Sequence, residues 1–487
     1  MNNPINKTKV VSSLLWKLME RGGTQGIQFI VQIALARLLL PKDFGAIAII
    51  TVFISLAQVF VQSGFSSALI QNKDVNEVDF SSVFYLSLAV AMLLYVVIYF
   101  SAPYVATFYT QPILVPVLRV LSITLIIGAF NSIQNAFVAR NMLFKRLFLS
   151  SLGSITISGI IGIITAYNGW GVWALVLQQL TSHLMATAIL FITVKWRPQL
   201  LFSFERVKVL FAYGSKLLAS ALIDTFYRDL RTLIIGRMYT PEMLGFYNRG
   251  QQFPNVIISN IDGSIQSVLL PTLSAHQDNI KKVKEMMRRA IVTSTFFIFP
   301  MMIGMAIVAE PLVKIVLTEK WLPTVPFLQV FCITYALMPI HTANLQAINA
   351  MGRSDIFLRL EIIKKIIGLL ILGISLNFDV YAIALGQVFN GIISAFINAY
   401  PNKRLLDYSY KEQWQDIMPS LLIAIAMGAI VYSFNYLGLI AWELLILQVC
   451  VGVSVYFLLA KIFKIESLNY LVITIKQLLN NRKDVRS

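Results

Sequence analysis

Long apolar segments recur along almost the whole chain, separated by short polar connections. We count fourteen of them, and each is long enough to cross a bilayer core of about 30 Å as an α-helix. The segments cover residues 12–40, 43–70, 80–101, 113–140, 148–167, 171–195, 209–237, 242–273, 289–310, 325–350, 360–376, 380–400, 417–435 and 440–461. Because a helix satisfies its own backbone hydrogen bonds in lipid, the pattern predicts an all-α polytopic membrane protein with about fourteen transmembrane helices.

Basic residues are concentrated in alternate connections. If the N-terminus is cytoplasmic, 28 of the 40 Lys and Arg residues fall in the two tails, in cytoplasmic connections or in the span ends that adjoin them. The opposite side then carries Lys42, Lys314 and Lys320, and the remaining basic residues lie within spans. Because cytoplasmic loops of membrane proteins are enriched in Lys and Arg, we expect both termini to be cytoplasmic. The charged residues near the start and the lack of a small-residue cleavage site predict that the first span is retained.

The composition excludes several classes of protein. With 57% hydrophobic residues, 13% charged residues and a mean hydropathy of +0.73, the chain is not a water-soluble enzyme. A net charge of +17 would suggest nucleic-acid binding in a soluble protein, but here the basic residues lie where membrane insertion and anionic lipid require them, so we expect no nucleic-acid partner. Cys332 and Cys450 lie in separate apolar spans, which predicts neither a disulfide nor a metal site.

The chain contains an internal repeat. ARLLLPKDFG, which contains Arg37 and Pro41, matches GRMYTPEMLG, which contains Arg237 and Pro241, at an offset of 200 residues. The segments FKRL and FLRL match at an offset of 213, and VWALVLQQ matches VYAIALGQ at an offset of 208. Because six spans separate the copies, they have the same orientation in the membrane and are predicted to be parallel repeats.

The repeat divides the chain into three parts. We predict an N-lobe over residues 1–208 with spans one to six, a C-lobe over 209–412 with spans seven to twelve, and a C-terminal helix pair with a basic cytoplasmic tail over 413–487. The basic stretch 195–208 links the lobes. Two parallel six-helix lobes of this kind are expected to surround a central cavity.

Polar residues form a stripe on the first span of each lobe. At about 100° per residue, they fall within arcs of roughly 80° and 120°, respectively. The first span carries Lys17, Arg21, Gln25, Gln28 and Gln32, and the seventh carries Lys216, Ser220, Asp224, Arg228 and Arg231. Several charges on one face of a membrane helix are tolerated where they meet water, each other or a counter-ion, so these helices are predicted to line a wet cavity.

The excess of basic over acidic residues within the spans predicts an anionic substrate. Arg donates parallel hydrogen bonds to phosphate from its planar fork, whereas Lys acts as a point charge. The candidate substrate-binding residues are Lys17, Arg21, Gln28, Lys216, Arg228, Arg231 and Arg249. Two alternatives stay open: Asp224 and Asp229 could form structural salt bridges with Arg228 and Arg231, and Lys17 could extend to the cytoplasmic surface.

A transporter of this kind needs a source of energy. The sequence contains no Gly-x4-Gly-Lys-Ser/Thr phosphate loop and no His-Glu-x2-His motif, so we expect neither ATP hydrolysis nor another enzymatic activity, and no cofactor. An H⁺ or Na⁺ gradient could instead act through an acidic residue in a span. The candidates are Glu20, Asp224, Asp229 and Asp262, although the neighbouring Gly263 makes a helix break an equal explanation for Asp262.

Several motifs resemble a known family. They are LARLLLPKDFGAIAI, GFSSALIQNKDV, GFYNRGQQFPNVI, VLLPTLSAHQDN, LTEKWLPTVPFLQVF and MGRSDIFLR, which are distributed over nearly the whole chain. Together they resemble the polysaccharide-transporter branch of the multidrug/oligosaccharidyl-lipid/polysaccharide exporter superfamily, and most of all Wzx flippases of the colanic-acid and teichuronic-acid exporter type.

The resemblance implies a bacterial plasma-membrane flippase that moves an undecaprenyl-pyrophosphate-linked oligosaccharide to the outer leaflet by alternating access. It further implies contact with membrane lipids and a functional link to a polysaccharide polymerase or export machinery. Pyrophosphate would lie among Arg21, Lys216, Arg228 and Arg231. The alternatives are a multidrug/cation antiporter of the same superfamily, which would prefer an acidic or aromatic cavity, and a membrane glycosyltransferase or polysaccharide polymerase, which would need a larger outer loop.

Overall fold

The structure is a computed structural model that describes residues 7–62, 69, 75–470 and 473, without the side chains of 7–15, 17–21, 209, 210, 212 and 213. Within these ranges every regular element is helical, which confirms the predicted all-α class. The α-helices are α1 (Lys7–Leu38), α2 (Pro41–Gln62), α3 (Glu77–Phe108), α4 (Leu114–Leu121), α5 (Ile123–Arg140), α6 (Phe144–Tyr167), α7 (Val172–Thr193), α8 (Phe204–Met238), α9 (Pro241–Ser274), α10 (Ile280–Ile307), α11 (Ala309–Val316), α12 (Val325–Ala336), α13 (Met338–Ala350), α14 (Ser354–Ser375), α15 (Val380–Ala399), α16 (Asn402–Leu406), α17 (Tyr410–Ser433) and α18 (Ala441–Ile462). Two 3₁₀ helices, Glu319–Thr324 and Phe434–Leu437, complete the set.

Eleven helical segments of the described chain are long and apolar enough to cross a membrane. Three further long helices, α1, α8 and α14, coincide with predicted spans one, seven and eleven, but each carries several charged residues. The polytopic membrane class is therefore confirmed, while the count of fourteen spans stays a prediction.

Two predicted spans are broken, and the breaks are related by the repeat. The fourth span divides into α4 and α5 at Ser122, and the tenth divides into α12 and α13 at Leu337. Pro339, near the start of α13, cannot donate the hydrogen bond that would continue the preceding helix. At the first break, the Ser122 hydroxyl donates to the Arg119 carbonyl at 2.9 Å, which satisfies an oxygen that the interrupted helix leaves open.

The chain forms two compact units, Met1–Asn248 and Arg249–Ser487. In the first, α6 packs against both α1 and α7, and α2 packs against α8. In the second, α10 packs against α17, and α14 packs against α15. The predicted boundary between the lobes, at residues 208 and 209, stays a prediction.

The linker between the predicted lobes is docked on the first turns of α3. Four contacts join the two segments. The Trp196 indole donates to Glu77 at 2.8 Å, the backbone amides of Gln199 and Ser203 donate to the hydroxyls of Ser81 and Ser82 at 3.1 and 2.9 Å, and Arg206 pairs with Asp79 at 2.9 Å. The start of α3 is itself fixed by a capping box between Asn76 and Asp79. The stretch 195–208 is thus an anchored part of the first unit.

Ionic and amide contacts fix the C-terminal helix pair within the second unit. Arg288 of α10 donates to Asp416 of α17 at 2.8 Å and holds Glu466, beyond α18, through two bonds of 2.8 and 3.0 Å. These bonds lower the pKa of Glu466 because they stabilise its charged form. Asn344 of α13 exchanges two buried hydrogen bonds with Gln413 of α17, at 2.8 and 3.0 Å. The pair is therefore built into this unit by polar contacts as well as by apolar packing.

Candidate substrate site

Helix α8 has two exposed faces, one apolar and one polar. One is apolar and exposed, with Ile223 at 60% and Phe226 at 49% exposure, as expected for contact with lipid. About 150° around the helix, a second exposed face carries Asp224 and Arg228, whereas Lys216, seven residues before Ile223, lies only about 20° from Ile223 around the axis. Since exposed ionised groups on a membrane helix are expensive in hydrocarbon, this polar face belongs in water.

The third face of α8 packs against α2 and holds an acid in place. Asp229 accepts a hydrogen bond from the Ser55 hydroxyl of α2 at 3.0 Å and another from Arg228 Nε at 3.2 Å. The Asp229 side chain is 20% exposed, whereas that of Arg228 is 69% exposed. Asp229 therefore orients Arg228 without covering it, and because the bond uses Nε, the terminal guanidinium nitrogens can still face a ligand.

Arg231 lies on the same polar face and is half-buried. Its guanidinium lies over the Tyr227 ring, 5.6 Å from the ring centre and one turn earlier on the helix. Such stacking fixes the plane of the guanidinium while leaving its edges able to donate. Arg228 and Arg231 thus form a pair of oriented donors one turn apart, which we call the arginine pair.

The Gln28 side chain of α1 lies on the side of the helix that packs against protein. Gln28 is exposed, yet it points in nearly the same direction as Thr24 and Leu35, which are 7% and 0% exposed. The exposed Ile30 points the opposite way, as a lipid-facing residue does. Gln28 therefore lies on the protein-facing side of α1 and is itself exposed.

Three other candidates on α1, Lys17, Glu20 and Arg21, have side chains outside the described residues. On α8, Lys216 precedes Arg228 by twelve residues, which is about 18 Å along a helix. One diphosphate group is too short to bridge them directly, so Lys216 and the arginine pair would meet a substrate at different depths.

The remaining candidates, Arg249 and Asp262, belong to the second unit. Arg249 is 5% exposed, donates to Gln252, and has its guanidinium 5.3 Å from the centre of the Trp321 ring. Asp262 lies thirteen residues further along α9, about 20 Å away along the axis.

Asp262 is a buried carboxylate held by neutral partners. It is 7% exposed, accepts from the Gln266 amide at 2.7 Å, and receives a second hydrogen bond from the Thr342 hydroxyl of α13. Among the described residues, no Lys or Arg lies within salt-bridge distance of it. Asp262 is therefore a buried acid that joins α9 to α13 through neutral hydrogen-bond partners.

Sequence analysis missed Ser55, Tyr227 and Thr342. Ser55 and Thr342 are short hydroxyl residues in membrane helices, where bonding to the helix backbone is common, so nothing local identified the long-range acids that they contact. For Tyr227 a signal existed, because it lies four residues before Arg231, a spacing that brings side chains together on a helix.

The fold and the long apolar helices define a class, the polytopic all-helical membrane proteins. The structure of lipid II flippase MurJ in an inward closed conformation aligns with a TM-score of 0.78, at 16% identity, over 92% of this chain and 98% of that chain. An inward-facing multidrug resistance MATE family transporter of the MOP superfamily aligns with a TM-score of 0.61, at 16% identity, over 80% and 98%. At these identities the likeness concerns the fold.

The chain belongs to the family described as Polysaccharide biosynthesis protein, whose profile matches residues 34–326. It is 27% identical to the teichuronic acid biosynthesis protein TuaB of Bacillus subtilis (strain 168), over 84% of this chain and 86% of the relative. It is 23% identical to the lipopolysaccharide biosynthesis protein WzxC of Escherichia coli (strain K12), over 87% and 88%, and 21% identical to the succinoglycan biosynthesis transport protein ExoT of Rhizobium meliloti (strain 1021), over 75% and 74%. The resemblance predicted from the sequence motifs is confirmed.

Proposed function

We propose that the protein is a flippase that moves a pyrophosphate-linked oligosaccharide on a polyprenyl carrier from the cytoplasmic to the outer leaflet by alternating access. The family and the relatives in teichuronic acid, lipopolysaccharide and succinoglycan biosynthesis support export of a polysaccharide building block. The transporter fold supports movement across the membrane, with no catalytic step by this chain.

The observation that carries the proposal is the two-sided exposure of α8. Its polar face presents Asp224 and Arg228, while its lipid face presents Ile223 and Phe226. An amphipathic substrate has the same division, because its phosphates and sugars need water and hydrogen bonds whereas its polyprenyl chain needs hydrocarbon. Such a substrate could keep its tail in lipid while its head group moves along the polar face.

In this proposal the arginine pair binds the pyrophosphate, because it presents oriented forks rather than mobile point charges. Lys17, Arg21 and Lys216 attract the anion along its path, Gln28 binds sugar hydroxyls, and Arg249 is a further cationic candidate on α9. A cation exporter would be poorly served by exposed arginines, since like charges repel its substrate.

We further propose that Asp262 is the coupling residue, carrying H⁺ or Na⁺. Asp229 is a weaker candidate because Arg228 already compensates its charge. Asp224 and Glu20 remain secondary candidates. Binding of a cation at Asp262 would change its hydrogen bonds to Thr342 and hence the packing of α9 on α13, which is how an ion gradient could bias a conformational equilibrium.

The proposed location is the bacterial plasma membrane with both termini cytoplasmic. The arrangement of basic connections supports this orientation, because 28 of the 40 Lys and Arg residues then lie on the cytoplasmic side. Flipped units would be supplied to a polymerase acting in the outer leaflet.

The test is to measure lipid-linked oligosaccharides and surface polysaccharide in cells with and without the gene. Loss of the protein is expected to cause complete lipid-linked repeat units to accumulate while surface glycan disappears, and re-expression should reverse both. Unchanged lipid pools with altered drug sensitivity would instead indicate multidrug export, and incomplete repeat units would indicate a transferase.

A further inference from the structure

The short connection between the first two helices of each repeat has the same local structure in both copies. The predicted orientation places both connections on the outer side of the membrane. Helices α1 and α8 end at Leu38 and Met238, and α2 and α9 begin at Pro41 and Pro241, so the offset of 200 residues holds at both ends. The hydrogen bond just beyond each helix end also repeats. The Leu39 backbone amide donates to the Leu35 carbonyl at 2.9 Å, and the Tyr239 backbone amide donates to the Ile235 carbonyl at 2.9 Å. The two turns are equivalent in structure as well as in sequence.

These turns contact each other through two glycines in a reciprocal way. A β-carbon added to Gly45 would overlap the carbonyl oxygen of Pro241, and a β-carbon added to Gly245 would overlap the carbonyl oxygen of Pro41. Each glycine is the fifth residue of its helix, and each contacts the first residue of the other helix. The first turns of α2 and α9 therefore cross backbone to backbone, about a local twofold axis.

Glycine is required at this crossing because of close approach. Any side chain would strike a backbone carbonyl that cannot rotate away, unlike the end of a flexible side chain. In this arrangement the Cα hydrogens of each glycine face a carbonyl oxygen, a weak contact found where membrane helices pack through small residues. Two weak, reciprocal contacts close the turns tightly and can still separate.

Neighbouring contacts close the same end of α8. The Tyr109 hydroxyl at the end of α3 donates to the Leu233 carbonyl at 3.4 Å, and Arg237 lies 5.0 Å from the centre of the Phe108 ring. Gly236 packs against Ile49 of α2, where an added β-carbon would lie 2.9 Å from the Ile49 side chain.

Polar residues further along α8, toward its predicted cytoplasmic end, are exposed. Lys216 and Ser220 are exposed and Leu217 is 38% exposed, whereas Ile235 near the outer end is fully buried. The crossing is thus closed by backbone contact while Lys216 and Ser220 of the same helix are exposed.

We infer that the reciprocal contact of Gly45 and Gly245 is the outer gate of this protein, closed here and required to separate before cargo is released outside. The inference rests on the proposed transport function for its role in the cycle, but the closed contact itself can be tested without any substrate. Ala at either glycine should prevent closure and shift the protein toward a state open to the outside.

The first experiment measures access from outside. With Cys332 and Cys450 replaced by Ala and Ser, a single reporter Ile49→Cys is placed beneath the crossing and treated with a membrane-impermeant maleimide on right-side-out vesicles. We expect slow labelling in the reporter protein and at least threefold faster labelling after Gly45→Ala or Gly245→Ala. Gly373→Ala is the matched control, because that helical glycine has no atom within 4 Å of an added β-carbon. Unchanged labelling in both variants, or an equal rise in the control, overturns the gate.

The second experiment holds the gate closed instead of opening it. Cysteines at Lys42 and Glu242, one residue beyond the two prolines, are joined by a flexible, reducible cross-linker. We expect export to stop when cross-linking is complete and to resume after reduction. Full export by the cross-linked protein overturns the gate, whereas a normal labelling result with no glycan export under any condition overturns the proposed cargo instead.

Discussion

At the scale of single residues, side-chain contacts determine how the charged groups of α8 are oriented. Arg228 is oriented by Asp229, and Asp229 in turn is fixed by Ser55 of a different helix. A salt bridge between Arg228 and Asp229 is therefore present, but it is not purely structural, because the Arg228 side chain is 69% exposed. An exposed arginine that is held in place loses little conformational entropy when it binds, which favours a ligand with fixed geometry such as a phosphate.

The arginine pair gives a prediction at this scale. Arg228→Ala and Arg231→Ala are each expected to reduce export at least tenfold, because a hydrogen bond to a charged group contributes about 1.5–3 kcal/mol. Arg228→Lys should recover only part of the activity, since it keeps the charge and loses the fork. The measurement is surface polysaccharide per inserted protein.

Arg119→Ala is the matched control for this prediction. Arg119 also lies in a predicted span of the first unit, but it is occupied locally, donating to the Tyr99 carbonyl at 3.1 Å with its guanidinium 4.1 Å from the Tyr99 ring centre. Full export by both arginine-pair variants, or an equal loss in the control, would remove the pair from the substrate path.

At the scale of elements, the sequence predicted where helices lie better than where they break. Hydropathy located the fourth and tenth spans but not their interruptions at Ser122 and Leu337, because neither residue changes the apolar character of its segment. Proline was no guide either: Pro300 and Pro419 lie inside continuous helices, whereas Pro339 follows a break. Neighbouring helices satisfy the backbone groups that a proline releases, so the outcome depends on packing that the sequence does not display.

The same limit applies to the candidate site. The polar face of α8 could be predicted because helical spacing is a local property. The partners of its charges could not, since Ser55 lies 174 residues away from Asp229. The repeat identified Gly45 and Gly245 as equivalent, but only the structure shows that they meet.

The docked linker gives a prediction for elements. Arg206→Ala should destabilise the first unit by about 1–3 kcal/mol, because Asp79 is 5% exposed and would be left as a buried acid without its cation. Asp79→Asn should recover part of the loss in the Arg206→Ala background. Thermal unfolding in detergent measures both effects.

Arg353→Ala is the comparison for the linker. Its partner Asp355 is half-exposed, and exposed pairs contribute about 0–1 kcal/mol. Equal effects of Arg206→Ala and Arg353→Ala would mean that the linker is not anchored by its ion pair.

At the scale of the whole molecule, a flippase must link cargo movement to an energy source. Moving one charge across the membrane releases about 2.3 kcal/mol per 100 mV, which is sufficient to bias two conformations strongly. Asp262 suits this role because it is buried, contacts a second helix through Thr342, and lies apart from the arginine pair along the chain. Cargo and coupling ion would then act on different parts of the protein through one conformational equilibrium.

Asp262→Asn tests this division of labour, because an amide imitates the neutral acid and cannot bind or release a proton. In proteoliposomes supplied with a fluorescent lipid-linked oligosaccharide, we expect the variant to bind the lipid normally but to lose the acceleration that an imposed H⁺ or Na⁺ gradient gives the parent. Asp262→Glu should keep part of the response, and Asp278→Asn, which alters an exposed acid just beyond α9, should keep all of it. If Asp262→Asn still responds fully to the gradient, coupling must pass through another acid, and Asp224 and Glu20 become the residues to substitute next.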